Sequence, residues 1–185
     1  MFRTEQLQQR FWVSDRISIE PLSKKHASVL LDVVNTNRKR LAGYLPWTDI
    51  VTNRREACHY ISQRVSTNAV DAYWAAIYFD GRFAGVIGSK GVHPETRVTE
   101  VGYWLADQGR GHNVIDQVLL VLIHYLKERG NAQSIQFHCL EDNLASIKIA
   151  ERSGAKLKHY LDHDFDMLDR SQRIGVYELL LNVNG

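Results

Sequence analysis

The sequence has few of the residues that build disulfide-stapled, metal-stabilised or membrane-spanning proteins. It contains only two cysteines, Cys58 and Cys139, in 185 residues, so neither a disulfide framework nor a cysteine-based zinc site is expected. The eight histidines show no metal-ligand spacing, and we expect no bound metal. No apolar run approaches the ~20 residues that span a bilayer, which argues against a membrane protein.

An excess of charge of one sign is also missing. The chain carries 23 basic and 21 acidic residues, and its formal charge is +2. This balance argues against direct binding of nucleic acid, which usually needs a strongly basic face. The segment Met1–Arg10 is polar and lacks the apolar core of a signal peptide. Together with two free thiols, this favours a cytoplasmic protein.

The common nucleotide motifs are absent, but a shorter glycine turn is present. There is no Gly-x-x-x-x-Gly-Lys-Ser/Thr sequence, and no third glycine at the Rossmann spacing. Instead, the apolar segment Glu100–Leu105 leads through Gln108–Asn113 into a long apolar run that begins at Val114. Such a turn, followed by the unpaired amides of a helix start, suits a phosphate group. An ordinary tight turn is the alternative.

Hydrophobic periodicity predicts an α/β fold, with a mixed, mostly antiparallel sheet flanked by helices. We expect a single domain over residues 1–185, with its core at about 14–183, after a loosely ordered lead-in at Met1–Trp12. The helix after the glycine turn is apolar almost all round and is expected to be buried. The predicted strands are 16–22, 71–79, 83–92, 97–105, 133–140, 156–161 and 174–183, and the predicted helices follow Ser23, Thr52 or Asn53, Asn113 and Asn143.

Several segments, in the same order along the chain, resemble the GNAT N-acetyltransferases. The turn Gln108–Gly111 is similar to the family's acyl-CoA motif, Gln/Arg-x-x-Gly-x-Gly/Ala. Other segments resemble the branch that acetylates the N-termini of ribosomal proteins, the RimJ/RimL type. These segments are Glu100–Leu105, Leu45–Trp47, Phe83–Gly88, Asp142–Ser146 and Ala150–Gly154.

The resemblance implies acetyl-CoA as the co-substrate, with its pyrophosphate held by the glycine turn and its pantetheine arm beside the strand that ends at Leu105. It also implies that Asn143 contacts the cofactor arm. The implied cofactor-binding residues are Trp104, Leu105, Gln108, Gly109, Arg110, Gly111, His112, Asn113 and Asn143.

Two catalytic residues are expected. The resemblance implies that Ser146 protonates the leaving thiolate, whereas a helix-surface hydroxyl is the alternative. Glu100 is our first candidate for the base that takes a proton from the amine, since a carboxylate can act through water. A charged strand end that faces water is the alternative for this residue. The resemblance also implies an acidic residue near the acceptor in the turn 162–169, where Asp164 and Asp166 are second candidates for the base; a solvated loop is the alternative for this turn.

The resemblance implies transfer of an acetyl group to a primary amine, most simply the N-terminal α-amine of a protein. The loop residues Leu45 and Trp47 are expected to contact this acceptor, and the family resemblance further suggests a homodimer. Two alternatives stay open: an enzyme that acetylates a small amine, and a non-catalytic module that binds acyl-CoA. The chain departs from the RimL pattern in the short Ala106–Asp107 link, the His112–Asn113 pair and Ala155.

Overall fold

The computed structural model describes residues 4–163 and 171–181. In this part of the chain, eight strands form one sheet, and four α-helices pack on it. The strands are β1 (Phe11–Trp12), β2 (Ile17–Pro21), β3 (Tyr73–Phe79), β4 (Arg82–Val92), β5 (Val98–Leu105), β6 (Ser134–Leu140), β7 (Lys156–Leu161) and β8 (Ile174–Leu180). The helices are α1 (Ala27–Leu41), α2 (Arg54–Val65), α3 (Val114–Arg129) and α4 (Leu144–Arg152).

The strand order is β1-β2-β3-β4-β5-β6-β8-β7, and every neighbouring pair is antiparallel except β5 and β6. The predicted mixed, mostly antiparallel sheet is therefore confirmed. The parallel pair arises because the chain crosses over through α3 between β5 and β6, which is the connection that parallel strands require.

Alternation along the strands sends side chains into two separate cores, one on each face of the sheet. Ile77 and Val101 pack with α3 on one face, where Phe137 is among the most deeply buried side chains. On the other face, Ala76 and Trp104 pack beneath α1 and α2. Each fully buried large apolar side chain contributes about 1.5–3 kcal/mol through its transfer from water.

Local sequence signals place the ends of these elements where they were expected. Asn53 caps α2, because its side-chain oxygen accepts a hydrogen bond from the Glu56 amide at 3.0 Å. Gly130 ends α3 in the left-handed conformation, with φ 72°. Asp80 and Gly81 both have positive φ, 48° and 74°, as the two central residues of a type I′ hairpin turn do.

Two of the expectations for the fold were wrong. The lead-in is ordered over its described part: Leu7 is only 1% exposed, its carbonyl accepts a hydrogen bond from the Tyr73 hydroxyl at 3.2 Å, and β1 pairs with β2. Leu7, together with the partly buried Phe11 and Val13, anchors this polar segment to the core. The outer face of α3 is not buried either, since Leu120 is 64% exposed there.

No helix in the described ranges, 4–163 and 171–181, has both the length and the apolar character needed to cross a membrane. The last predicted strand reaches 183, but residues 182–185 lie outside the described part of the chain.

Candidate active site

The sheet opens between β5 and β6. These parallel strands pair over only three residues, from Val98 with Ser134 to Glu100 with Gln136, and then separate. The other edge of β5 stays paired with β4 as far as Leu105. The separation leaves a gap in the middle of the sheet, and this gap is where side chains from both faces can meet a ligand.

Two cavities meet at the gap. The α2-side cavity, of about 450 Å³, lies under α2 and is lined by Trp47, Tyr60, Arg64, Trp74, Glu100 and His138, among others. The α3-side cavity, of about 570 Å³, lies beside α3 and α4 and is lined by Gly109, Arg110, Gly111 and Asn113, among others. Tyr103, Trp104, Asn143 and Ser146 line both. A ligand in one cavity can therefore reach a ligand in the other.

The glycine turn forms one wall of the α3-side cavity. Gly111 has φ 78°, and a Cβ atom added there would meet nothing within 4 Å. The position thus favours glycine for its backbone conformation and leaves open space beside it. Asn113 also has positive φ, 53°, and stands directly before α3. The amides at the start of α3 point toward this space, and Arg110 and Lys148 add positive charge. These residues fit a phosphate-bearing ligand such as coenzyme A.

The short link between β5 and the turn is held from three sides. Asn37 accepts a hydrogen bond from the Asp107 amide at 2.9 Å, and Arg40 donates to the Leu105 carbonyl at 2.7 Å. The side chain of Gln108 donates to the Phe83 carbonyl at 2.7 Å. The side-chain amide of the predicted cofactor residue Gln108 is thus used in a hydrogen bond to the sheet. Only its backbone is left to face the turn.

His112, another predicted cofactor residue, directs its ring elsewhere. The imidazole stacks on Phe79, with 4.8 Å between the ring centroids and 28° between the planes. Its side chain does not line the α3-side cavity. Any contact from His112 to a phosphate in the turn would have to come from its backbone amide.

A chain of hydroxyl and thiol groups lies where the two cavities join. The Tyr103 hydroxyl is 2.9 Å from the Ser146 Oγ, and the Cys139 thiol donates to the same oxygen at 3.4 Å. Asn143 caps α4 by accepting from the Ser146 amide at 3.3 Å, which fixes the serine at the first turn. Burial raises the pKa of Tyr103 and that of Cys139, so both stay protonated at neutral pH. Ser146 therefore has two proton-bearing neighbours.

Glu100 lies at the apex of the gap, in the α2-side cavity. Its carboxylate pairs with the Lys90 ammonium at 2.6 Å and lies 3.8 Å from the His138 Nδ1. Burial lowers the pKa of His138, the Glu100 carboxylate opposes this, and Lys90 adds to it. The imidazole is accordingly neutral at pH 7 and can accept a proton. Glu100 and His138 together supply two acceptors on the side where an amine would enter.

Three of the remaining predicted residues line the cavities, and two lie outside the described residues. Leu45 lines both cavities, and Trp47 lines the α2-side cavity with its ring 4.4 Å from that of Tyr60. The Trp104 indole is buried and donates to the Tyr60 hydroxyl at 3.0 Å. Asp164 and Asp166 lie outside the described residues.

Sequence reasoning missed Tyr103, His138 and Arg64 as site residues. A signal was present for His138: strand alternation places it on the same face as Gln136, whose neighbour across the parallel pair is Glu100. Tyr103 belonged to a recognised motif but was treated only as part of a strand. Nothing in the pattern of α2 distinguishes Arg64 from an ordinary surface arginine.

Two curated proteins are similar to most of this chain. The putative ribosomal N-acetyltransferase YdaF of Bacillus subtilis (strain 168) is 25% identical over 150 residues, which cover 77% of this chain and 79% of that protein. The ribosomal-protein-serine acetyltransferase of Escherichia coli (strain K12) is 23% identical over 171 residues, which cover 92% of this chain and 96% of that protein.

Solved structures show the same fold. A structure of RimL, a ribosomal L7/L12 α-N-protein acetyltransferase, in complex with coenzyme A as a cysteine disulfide, matches with a TM-score of 0.85 and 21% identity, over 95% of this chain and all of that one. The microcin C7 self-immunity acetyltransferase MccE, in complex with acetyl-CoA and AMP, matches with a TM-score of 0.82 and 21% identity, over 91% and 94% of the two chains. The family description "Acetyltransferase (GNAT) domain" matches residues 16–156, and the chain belongs to this family of acetyl-CoA-dependent acyltransferases.

Proposed function

We propose that the chain works as a single acetyltransferase domain that transfers an acetyl group from acetyl-CoA to the N-terminal α-amine of a protein. The observation that carries the proposal is the junction of the two cavities. Ser146 lines both cavities and could therefore reach a thioester that enters from the α3 side, and Glu100 lines the α2-side cavity, where an amine would enter. The relatives named as ribosomal-protein acetyltransferases support the choice of acceptor.

Each side of the gap has a distinct task in this mechanism. An α-amine has a pKa near 8, so part of it is protonated at neutral pH and must lose a proton before it attacks. Glu100, or His138 beside it, accepts this proton directly or through water. The uncharged amine then attacks the thioester carbonyl, and the two ligands are held close together in the gap.

The leaving thiolate is protonated on the other side of the gap. The Ser146 hydroxyl donates its proton to the sulfur and takes up the second proton that the amine nitrogen loses as it becomes an amide, so the serine ends unchanged. The Tyr103 hydroxyl, at 2.9 Å, hydrogen-bonds to the serine oxygen and holds it in place. The raised pKa of Tyr103 means that this hydroxyl keeps its own proton and acts as a hydrogen-bond partner of Ser146. No covalent enzyme intermediate is needed, and Cys139 serves as a packing residue and a hydrogen-bond donor.

A further cavity favours an extended acceptor over a small one. It has a volume of about 680 Å³, and it shares Glu100 and His138 with the α2-side cavity. It continues along the open sheet face past Gln136 to Glu178 and Leu180. A small amine would fill the α2-side cavity alone, whereas a peptide could continue along this surface.

Mass spectrometry of protein N-termini from cells with and without this protein tests the proposal. We expect one or a few N-termini to lose acetylation when the protein is removed, and to regain it with the intact gene but not with the Ser146→Ala variant. Unchanged N-terminal acetylation, together with transfer to a small amine in vitro, would contradict the choice of acceptor. We also propose the homodimer that the family resemblance suggests. Light scattering of the purified protein measures its oligomeric state.

A further inference from the structure

Arg64, near the end of α2, lies inside the α2-side cavity among aromatic rings. Its guanidinium carbon is 3.4 Å from the centroid of the Tyr60 ring, 5.2 Å from that of Trp74 and 5.9 Å from that of Trp47. One terminal nitrogen, Nη1, donates to the Tyr60 carbonyl at 3.0 Å. Stacking on the rings holds the planar group in one orientation and leaves its remaining N–H groups directed away from them.

Within the part of the chain that the structure describes, this cation has no carboxylate beside it. Across residues 4–163 and 171–181, no carboxylate oxygen lies within 4.0 Å of the Arg64 guanidinium, and its buried Nε has no hydrogen-bond partner. Lys90, another cation that lines the same cavity, is already paired with Glu100 at 2.6 Å. Burial lowers the pKa of Arg64, because the charged group has lost part of its water. A buried, unpaired charge is costly unless a ligand completes it.

The Trp74 ring, on which the Arg64 guanidinium rests, depends on two glycines for its position. A Cβ atom at Gly88 would lie 2.3 Å from the Trp74 ring, and one at Gly102 would lie 3.3 Å from it. Larger residues on either strand would displace the ring on which the guanidinium rests. Glycine at both positions therefore leaves room above this part of the sheet for an aromatic ring and a cation.

The same sheet face carries the groups expected to receive the amine. Glu100 and Gly102 are two residues apart on β5, so they point to the same face and are separated by roughly 7 Å along the strand. With the amine of the acceptor at Glu100, a side chain near its N-terminus could thus reach along β5 toward Arg64. The cavity offers a proton acceptor at one end and an unpaired cation at the other.

We propose that Arg64 binds a carboxylate on the acceptor, and that the acceptor is a peptide with an acidic side chain at its second or third position. This inference rests on the proposed transfer to an amine and adds the identity of its neighbour. Guanidinium and carboxylate form a pair of parallel hydrogen bonds, which a neutral amide of the same shape cannot match. The enzyme then selects acidic N-termini rather than N-termini in general.

Matched peptides test the inference without altering the protein. Each pair differs only by aspartate or asparagine at the second or third position, and kcat/KM is measured with acetyl-CoA. We expect at least a tenfold preference for aspartate in one pair, since hydrogen bonds between charged groups are worth more than neutral ones. Equal rates for aspartate and asparagine in both pairs would overturn the inference and leave the transfer reaction itself intact.

A variant series assigns the preference to Arg64. Arg64→Gln should reduce the preference to about onefold, mainly by slowing the aspartate peptide, and Arg64→Lys should restore only part of it. Arg55→Gln removes a charge from the exposed face of the same helix, where the Arg55 side chain is 92% exposed, and should keep the full preference. A preference that survives Arg64→Gln would assign carboxylate recognition to another residue and contradict the proposal.

A binding measurement separates this inference from the proposed function. Fluorescence of the tryptophans around Arg64 is titrated with the same peptides, and with serine and serinamide, in the absence of acetyl-CoA. Tighter binding of the aspartate peptides supports the inference even if no peptide is acetylated, in which case the proposed function fails alone. A preference for serine over serinamide, without one among the peptides, would contradict the acidic peptide as the source of the carboxylate. Equal binding in every pair would overturn the inference entirely.

Discussion

At the scale of single residues, the proposed protonation of the thiolate depends on the contact between Ser146 and Tyr103. Neither hydroxyl is acidic enough to act alone in water. The 2.9 Å hydrogen bond between them would hold the Ser146 hydroxyl in position for the proposed proton transfer. Burial keeps Tyr103 protonated, and the cap from Asn143 fixes Ser146 in place. The donor is thus set by position rather than by an unusual residue type.

Replacing Ser146 by alanine should lower kcat by about a hundredfold, because general acid catalysis is worth this much or more. The dissociation constant for coenzyme A, measured by calorimetry, should stay nearly the same. Tyr103→Phe keeps the ring and should lower kcat to a smaller extent. The double variant should be little worse than Ser146→Ala, since the two groups act as one unit.

Independent, additive losses of kcat in this series would show that the two hydroxyls do not act as one unit. An unchanged kcat for Ser146→Ala would assign the acid to another group or to water. The pH dependence of kcat for each variant would then identify that group.

Sequence reasoning was also least successful at the scale of single residues. Ser146 and Asn143 were found because the segment Asp142–Ser146 resembles a motif of the RimL type, and their spacing of three residues places them on one face of a helix. The contact from Tyr103 to Ser146 joins residues 43 positions apart, and it exists only once β5, β6 and α4 have assembled. Arg64 gave no signal, because its place in the cavity, without a carboxylate partner among the described residues, depends on elements that are distant in sequence.

At the scale of elements, the glycine turn and the start of α3 form one unit. Gly111 uses a positive φ, and the space beside it is open, so a side chain at this position would enter the α3-side cavity. A phosphate held there would gain from the helix amides and from the helix dipole. The unit therefore depends on both backbone shape and local charge.

Gly111→Asp should abolish the binding of coenzyme A, because it places a negative charge beside the phosphates. Gly111→Asn is the matched control, since it has the same shape and also tolerates positive φ, but carries no charge. We expect the asparagine variant to weaken binding modestly and the aspartate variant to eliminate it in calorimetry. Equal affinities for Gly111→Asp and the unaltered protein would exclude this turn as the phosphate site.

Most element boundaries followed from local sequence signals, as Asn53, Gly130 and the Asp80–Gly81 turn illustrate. The opening between β5 and β6 did not. It results from the register of two strands joined through a long helix, and nothing within either strand marks where their pairing stops. Leu7 likewise became part of the core through a tertiary contact that its polar neighbours gave no reason to expect.

At the scale of the whole molecule, a buried charge cluster links stability to pH. Burial alone would raise the pKa of Glu20, but hydrogen bonds from His26, Tyr78, Arg10 and Lys25 outweigh it and lower the pKa from 4.5 to about 2. A carboxylate with a lowered pKa stabilises the folded state above its unfolded pKa. The contribution is therefore complete above about pH 4.5 and is lost as the pH falls toward 2.

Glu20→Gln should reduce the free energy of unfolding by about 3 kcal/mol at pH 7, and the difference from the unaltered protein should shrink between pH 5 and pH 2. Urea unfolding at several pH values measures this difference. Asp80→Asn breaks the exposed Arg16–Asp80 pair, whose side chains are 54% and 50% exposed, and should change stability very little. A Glu20→Gln effect that does not vary with pH would refute the assigned role of this carboxylate.

The two cavities meet at the gap, and the central proposal is that they bring a thioester and a protein α-amine together there. The most direct test mixes the purified protein with acetyl-CoA and a peptide that has a free N-terminus, and follows thiol release and peptide mass together. The account predicts one acetyl group on the α-amine for each thiol released, and a rate that Ser146→Ala lowers about a hundredfold. Binding of acetyl-CoA without transfer to any peptide or small amine would contradict it.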